Sequence, residues 1–556
     1  MATSEVTEST GEGGFTHRQI LVILSGLLLG ILLAALDQTI VSTAIRTIAD
    51  DLNGYSLQAW ATTAYLITAT LATPLYGKLS DMYGRKPFYL AAITIFLIGS
   101  LLSAFSQSMY ELAVFRALQG LGAGGLMSLA LTIVGDIVSP RERAKYQGYF
   151  LAVFGTSSVV GPVLGGLFAG QDSILGIAGW RWVFLVNVPI GLFTLVVVTR
   201  ALHLPVRERS RDRVDYWGAA VLAIALTPLL IVAQQGREWG WGSVRSVLCY
   251  VVGVVGVIVF VWVERMLGDA ALIPLRIFRN RTFALGVVIS FVVGAGMFGG
   301  ILLLPQYLQA VRGASPMIGG LQMMPMVLGM MVGSVISGQL ISRTGRYRAY
   351  TLIGAGMITL GLFLLHFLRA DTAYWIVVLF MLCVGFGLGN LMQPLIIALQ
   401  NALPPKDMGV STAAATFFRQ IGGTLGAAVF LSVLFTRLAP NIRTELVAAG
   451  HDQKFQQALL NGRTDGNPAD MALSQGLLNH DTSAAQHVLA DSSVIQRLNP
   501  VLARPFQVGF AESLSTVFLT TSAVALVALV LVVFWKEVPL RTTVGDAPAE
   551  PAAGIG

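Results

Sequence analysis

The chain has 556 residues, 55% of them hydrophobic and only 12% charged, with a formal net charge of +7 and a mean hydropathy of +0.72. Soluble domains carry roughly 25% charged residues, so this composition excludes a water-soluble globular fold and indicates an all-α integral membrane protein. The positive balance implies no nucleic-acid partner, because the basic residues sit in short loops between apolar runs, where they set orientation in a bilayer.

Residues 1–17 read as a disordered cytoplasmic tail: Glu5, Glu8 and Glu12 precede His17 and Arg18, and a basic signal-peptide start is missing. Apolar runs of about 20 residues then predict fourteen membrane segments. They begin near residues 18, 57, 88, 110, 146, 183, 215, 244, 283, 316, 350, 374, 409 and 508. With the amino terminus placed in the cytoplasm, the short inner loops hold most of the Lys and Arg, among them Lys78, Arg85, Lys86, Arg141, Arg143, Lys145, Arg343, Arg346 and Arg348. The short outer loops hold only Arg181, Arg237, Arg245, Arg312 and Arg369, so both termini are expected inside the cell.

A charged, turn-rich string, Gly77-Lys78-Leu79-Ser80-Asp81-Met82-Tyr83-Gly84-Arg85-Lys86-Pro87, separates segments 2 and 3. It returns as Gly338-Gln339-Leu340-Ile341-Ser342-Arg343-Thr344-Gly345-Arg346 between segments 10 and 11, with both glycines and the following arginine kept. Gly84 is placed where the backbone needs a conformation closed to other residues. The repeat groups the chain into an amino-terminal six-helix bundle (18–204), a linker with an inserted transmembrane pair (205–281) and a carboxy-terminal six-helix bundle (282–536). Bundles related in this way place a site between them near the midplane. The polar stretch 437–506 is expected as an outer loop or small helical cap and a possible partner surface. Residues 537–556 read as a disordered cytoplasmic tail. Cys249 and Cys383 lie in apolar runs and suit neither a disulfide scaffold nor a zinc site.

Ionisable side chains within hydrocarbon cost at least about 2.5–3.5 kcal/mol and are functional candidates by default. Asp37 in segment 1 and Arg116 in segment 4 sit at similar depth, and if they share a cavity the carboxyl can load and release a proton. The bland alternative is a static ion pair. Arg419, near the middle of segment 13, has no evident partner. In segment 5 the string Gly155-Thr156-Ser157-Ser158-Val159-Val160-Gly161-Pro162-Val163-Leu164-Gly165-Gly166 predicts a bent helix packed closely on a neighbour. Gln38, Trp60, Tyr65, Gln119, Phe298, Tyr307, Gln322, Met326, Asn390 and Arg419 are candidates for a substrate cavity, core or lipid packing being the alternative for each aromatic and methionine.

Taken together, these strings resemble the fourteen-helix drug:proton antiporters of the major facilitator superfamily over nearly the whole chain. Gly77 to Lys86 is similar to the superfamily's loop signature, Arg116 to Gly125 to its fourth-helix proton motif, and Gly155 to Gly166 to its antiporter motif. Leu36-Asp37-Gln38-Thr39 and Trp180 to Gly191 resemble two further strings of the group; Ser42 and Arg46 depart from its usual asparagine and proline. The resemblance implies the major facilitator fold, alternating access, and proton-coupled export of lipophilic drugs or toxic compounds across the cytoplasmic membrane. It implies proton coupling through Asp37 and Arg116, and an inner-gate relay in which Asp81 pairs with the positive end of segment 13 beside Arg85 and Asp136. Because Ser342 replaces Asp81 in the second copy, only the first copy is expected to carry a charged latch. A single deep carboxylate points to neutral or singly charged substrates.

The expected partners are membrane lipid, a small lipophilic substrate and protons. The proton gradient is the energy source, with no cofactor or metal, and the protein is expected as a monomer. The alternatives are a dedicated exporter of one natural product, lipid or siderophore, and, more distantly, a lipid-modifying membrane enzyme, for which the chain offers no phosphate loop or zinc motif.

Overall fold

A computed structural model describes residues 16–52, 54, 57–202, 215–463, 466–478 and 492–541. Both tails, apart from Thr16, His17 and residues 537–541, and the Arg-rich stretch after segment 6 lie outside the described residues. Among those described, fourteen long helices follow one another, with starts close to the apolar runs. The first six are α1 (His17–Asp51), α2 (Gln58–Tyr83), α3 (Arg85–Ala104), α4 (Met109–Ile137), α5 (Gln147–Ala169) and α6 (Asn187–Ala201). Two follow in the middle, α7 (Tyr216–Trp239) and α8 (Val244–Leu267). The last six are α9 (Arg281–Gln306), α10 (Met324–Thr344), α11 (Arg348–Leu365), α12 (Tyr374–Ala402), α13 (Met408–Ala449) and α14 (Pro500–Phe534).

Thirteen helical segments among the described residues are long and apolar enough to cross a membrane. The helix outside that set is α2. Its 26 residues reach about 39 Å, enough for a crossing, but Thr62, Thr63, Thr68, Thr70 and Thr73 dilute its apolar character. Three of those hydroxyls are satisfied on main-chain carbonyls: Thr70 Oγ1 on Leu66, Thr73 Oγ1 on Ala69, and Thr68 Oγ1 on Ala64 and, at 2.7 Å, on Ala117 of α4. Thr68 therefore ties α2 to α4, while Thr70 and Thr73 are satisfied within their own helix.

Packing sorts the helices. Within the first six, α1 lies on α5 and α4 on both α2 and α3; within the last six, α9 lies on α13, α12 on α10 and α11, and α14 on α11 and α13. Of the crossings that join the sets, α2 with α13 and α5 with α10 each pair the second helix of one set with the fifth of the other, and α4 also meets α13. The inserted helices α7 and α8 pack on one another, and α7 also touches α2 and α13. Carboxylates hold the chain between α8 and α9 against this pair: Asp215 accepts from Leu272 N–H at 3.1 Å and Glu264 from Ile273 N–H at 2.7 Å.

Both turns of the repeated string use a glycine at positive φ, Gly84 at 100° and Gly345 at 71°. An L side chain is strained in that region, so the two glycines let the chain reverse between adjacent helices. This end of the molecule is the turn face below, and the opposite end is the cap face.

At the cap face the structure corrects the extent of the polar connection. Helix α13 runs on to Ala449 and α14 begins at Pro500, so both reach well into the stretch 437–506. Two helices, Gln453–Gly462 and Pro468–Leu478, and a 3-10 turn, Ser492–Arg497, complete a folded cap. Hydropathy ends a segment where lipid ends, whereas helix geometry ends where capping ends. Here Asn499 caps α14 through Val501 N–H, and Asn441 Nδ2 of α13 donates to Ser513 Oγ of α14 at 3.0 Å.

Candidate functional site

Asp37 lies 20 residues into α1, about 30 Å from its start, and Arg116 only two turns from the cap-face end of α4. The two side chains are 0% and 1% exposed. Arg116 Nη1 donates to Asp37 Oδ2 at 2.5 Å and to Gln119 Oε1 at 2.8 Å. Gln119 Nε2 and Asn187 Nδ2 donate to Asp37 Oδ1 at 2.8 and 2.9 Å. The guanidinium is roofed by the Tyr65 ring, 4.2 Å from its centroid. Three N–H donors on one carboxyl group suit its ionised form, which only accepts. The donors come from two helices: Gln119 sits one turn after Arg116 on the same face of α4, while Asn187 is the first residue of α6. Asn187 also donates to Ser100 Oγ at 3.0 Å, which ties α3 into the cage, and its own Oδ1 is buried without a partner among the described residues.

The second cluster closes the turn face. Asp81, in the last turn of α2, accepts from Gly409 N–H at 3.1 Å and Val410 N–H at 2.9 Å, the free donors of the first turn of α13. Arg85 joins Asp81 at 2.5 Å to Asp136 at 2.8 Å. Gly77 lets α2 come this close, because a Cβ there would sit 2.9 Å from the Gly409 carbonyl oxygen. Ser342 stands where the first copy has Asp81, and a charge from the first helix set meets the second copy's main chain instead. Arg141, just before α5, donates to the carbonyls of Ser342 at 2.7 Å and Arg343 at 2.5 Å, at the carboxyl end of α10. The sense of the charge is inverted: an anion meets a helix start in one copy, and a cation meets a helix end in the other. Arg143 reinforces this side through Gln400 of α12 and the carbonyls of Gly135 and Val138.

The segment 5 glycines divide. Gly161 and Gly165 lie against α1 at Thr39 and Ile40, and Gly155 lies against Val327 of α10 across the two sets. Gly166 has no neighbour where its side chain would be, so the expectation of close packing fails at that position. Pro162 lies inside α5 and faces Gly320.

The candidate cavity residues also divide. Gln38, Trp60, Phe298, Gln322 and Arg419 are partly exposed. Tyr65, Gln119, Tyr307, Met326 and Asn390 are buried, which corrects their assignment as lining residues. Tyr65 and Gln119 belong to the Asp37 cage, Tyr307 donates to the Arg369 carbonyl at 2.9 Å, and Asn390 donates to Phe386 within its own helix. The Met326 main chain lies against Gly385, fixing α10 on α12. Asn187, Arg141 and Arg143 are the functional candidates that the sequence reading passed over. A buried asparagine opening an apolar segment was the available signal for Asn187.

The chain matches the Major Facilitator Superfamily across residues 27–427. It is 33% identical over 535 residues to the multidrug transporter protein MdtP of Bacillus subtilis, covering 95% of each chain. It is 37% identical over 412 residues to Multidrug resistance protein 3 of the same organism, covering 74% of this chain and 79% of the relative. Among solved structures, the proton:xylose symporter XylE superposes with a TM-score of 0.56 at 15% identity over 93% of this chain and 95% of that one, a likeness of fold.

Proposed function

The chain belongs to the Major Facilitator Superfamily and is a multi-pass membrane transporter, not an enzyme; from that premise we propose that it exports lipophilic compounds across the cytoplasmic membrane in exchange for protons. The observation that carries this reading is Asp37, a fully buried carboxylate held by Arg116, Gln119 and Asn187 from two other helices. A proton reaching Asp37 removes the charge those donors hold and frees α1 to move against α4 and α6. The turn-face latches supply the other half of the cycle. Asp81 and Arg141 tie the two helix sets together at that face, so substrate entry there requires both ties to part. Protonation at one end and latch opening at the other are then two ends of one rocking motion, which is alternating access. Each proton driven inward is worth about 2.3 kcal/mol per 100 mV of potential, adequate to expel a compound against a gradient.

The test is dye export from energised cells or inverted vesicles, wild type beside Asp37→Asn, with and without a protonophore. Wild-type export is expected to collapse with the gradient, and Asp37→Asn to be inactive though inserted at normal level. Because the Asp37→Asn change leaves the Arg116 charge without a counter-ion, a cost of about 3–5 kcal/mol, the double variant Asp37→Asn/Arg116→Gln serves as the folded control. Uphill pumping by either variant under a proton gradient alone would remove Asp37 from the coupling role.

A further inference from the structure

Arg419 lies on the stripe of α13 formed by Met408, Thr412, Ala415, Arg419, Gly422 and Gly426, spaced four and three residues apart so that all share one face. The stripe's first end meets α4, with Met408 beside Gly135, and its far end meets α9, with Gly422 on the Phe291 carbonyl and Gly426 on Ala295. Arg419 sits between these contacts, about 16 Å from the turn-face end of the helix and so near the middle of a bilayer. Its backbone crosses α9 at Gly294, where a Cβ would collide with it. The side chain is partly exposed and has no hydrogen bond, ion pair or ring partner among the described residues.

The buried arginines Arg85, Arg116 and Arg143 differ. Arg85 holds Asp81 and Asp136, Arg116 holds Asp37 and Gln119, and Arg143 holds Gln400 and two carbonyls. Asp37 is held by three donors of the first helix set, and Arg419 is not among them. A guanidinium stays charged in any protein environment and offers five N–H donors matched to a planar anion. One turn further along the same helix, Gly423 packs directly on the Phe298 ring, and Phe298 and Phe418 are both partly exposed. A charged fork next to an apolar wall matches a lipophilic body carrying one acid group.

Resting on the transport reading above, we infer that Arg419 is the anion-binding group of the substrate site and that the favoured substrates are lipophilic monoanions, such as aromatic carboxylates or sulfonates. Asp37 then serves the proton alone, and the charge that the substrate must neutralise is positive.

The experiment measures binding to the purified full chain in phosphatidylcholine nanodiscs by calorimetry, using 2-naphthoate and its neutral isostere 2-naphthamide. Wild type is expected to bind the naphthoate about tenfold more tightly than the amide, the range of a charge-assisted hydrogen bond. Arg419→Gln is expected to abolish that preference while leaving amide affinity within about twofold, and Arg419→Lys to keep most of it. Equal binding of the two probes by wild type overturns the inference without any variant having to fold, and so does a preference that survives in Arg419→Gln. The two readings fail separately. Naphthoate held through Arg419 but never exported sinks proton-driven export and leaves the anion site standing. Protonophore-sensitive export of neutral dyes, with both probes bound alike, does the reverse.

Discussion

Asn187 shows what a single side chain contributes here. Its amide donates both to Asp37 and to Ser100, so one residue at the start of α6 positions the carboxylate relative to α3. Replacing it by leucine keeps the approximate volume but leaves Asp37 with two donors. Asn187→Leu is therefore expected to lower stability by about 1.5–3 kcal/mol, the range for a lost hydrogen bond to a charged group, and to slow protonophore-sensitive export by about tenfold. Thermal unfolding and initial export rates measured on the same preparation check both numbers. A structural role alone would move the first and leave the second unchanged. Asp37 and Arg116 were legible as candidates because charge inside an apolar run is conspicuous. Asn187 was not, since an uncharged amide can also satisfy itself on its own helix, as Asn390 does on Phe386.

At the scale of elements, the two turn-face latches are a matched pair built from opposite charges. Asp81 caps the donors opening α13, while Arg141 occupies the acceptors closing α10. The repeat in sequence marked the place of both but not their chemistry. Asp81 is visible as a charge within its string, whereas the partner of Ser342 comes from a residue two hundred positions away, presented by the chain before α5. The Asp81 bonds are almost buried and those of Arg141 half-exposed, so their removal should cost unequally. Asp81→Asn is expected to raise the population open at the turn face about 30-fold, for about 2 kcal/mol, and Arg141→Ala about fivefold, for about 1 kcal/mol. Spin-label distances between the α2–α3 and α12–α13 turns, in a background lacking Cys249 and Cys383, read both values. Equal effects, or none from Arg141→Ala, would show that the second contact is incidental.

On the scale of the whole molecule, the inserted pair α7 and α8 is tied into the gate and does more than extend the lipid-facing surface. Lys78 of the first string donates to the Asp269 carbonyl at 2.7 Å, and Arg276 grips both Asp407 oxygens at 2.8 and 2.9 Å. Asp407 precedes the first turn of α13, the same turn that Asp81 caps. The connector therefore straps the first set to the last, in parallel with the Asp81 latch. Asp407 holds Arg276 more firmly in its charged form than an ordinary arginine is held. Arg276→Ala is expected to speed hydrogen exchange at Gly409 and Val410 about fivefold, with a stability loss of about 1 kcal/mol because Arg276 is one-third exposed. Unchanged exchange at those amides would reduce the strap to a surface contact.

The sequence by itself determined the fourteen long helices, the repeat and the rank of Asp37, Arg116 and Arg419 as costly charges, because the bilayer imposes a length and a polarity that can be counted along one strand of chain. Even α2, too rich in threonine to satisfy hydropathy, was placed by the length of its run. What only the tertiary structure decided was pairing. Whether a buried charge is neutralised depends on which helices cross beside it, and those crossings follow from where small residues such as Gly77, Gly161 and Gly294 let backbones approach. Five residues read as cavity lining turned out to be buried in packing or in the Asp37 cage, and Arg419, read as one candidate among ten, stood apart as a guanidinium near the middle of a membrane helix with no partner among the described residues. Charge is local and legible in one dimension; its compensation is set by neighbours distant in sequence, and only three dimensions supply them.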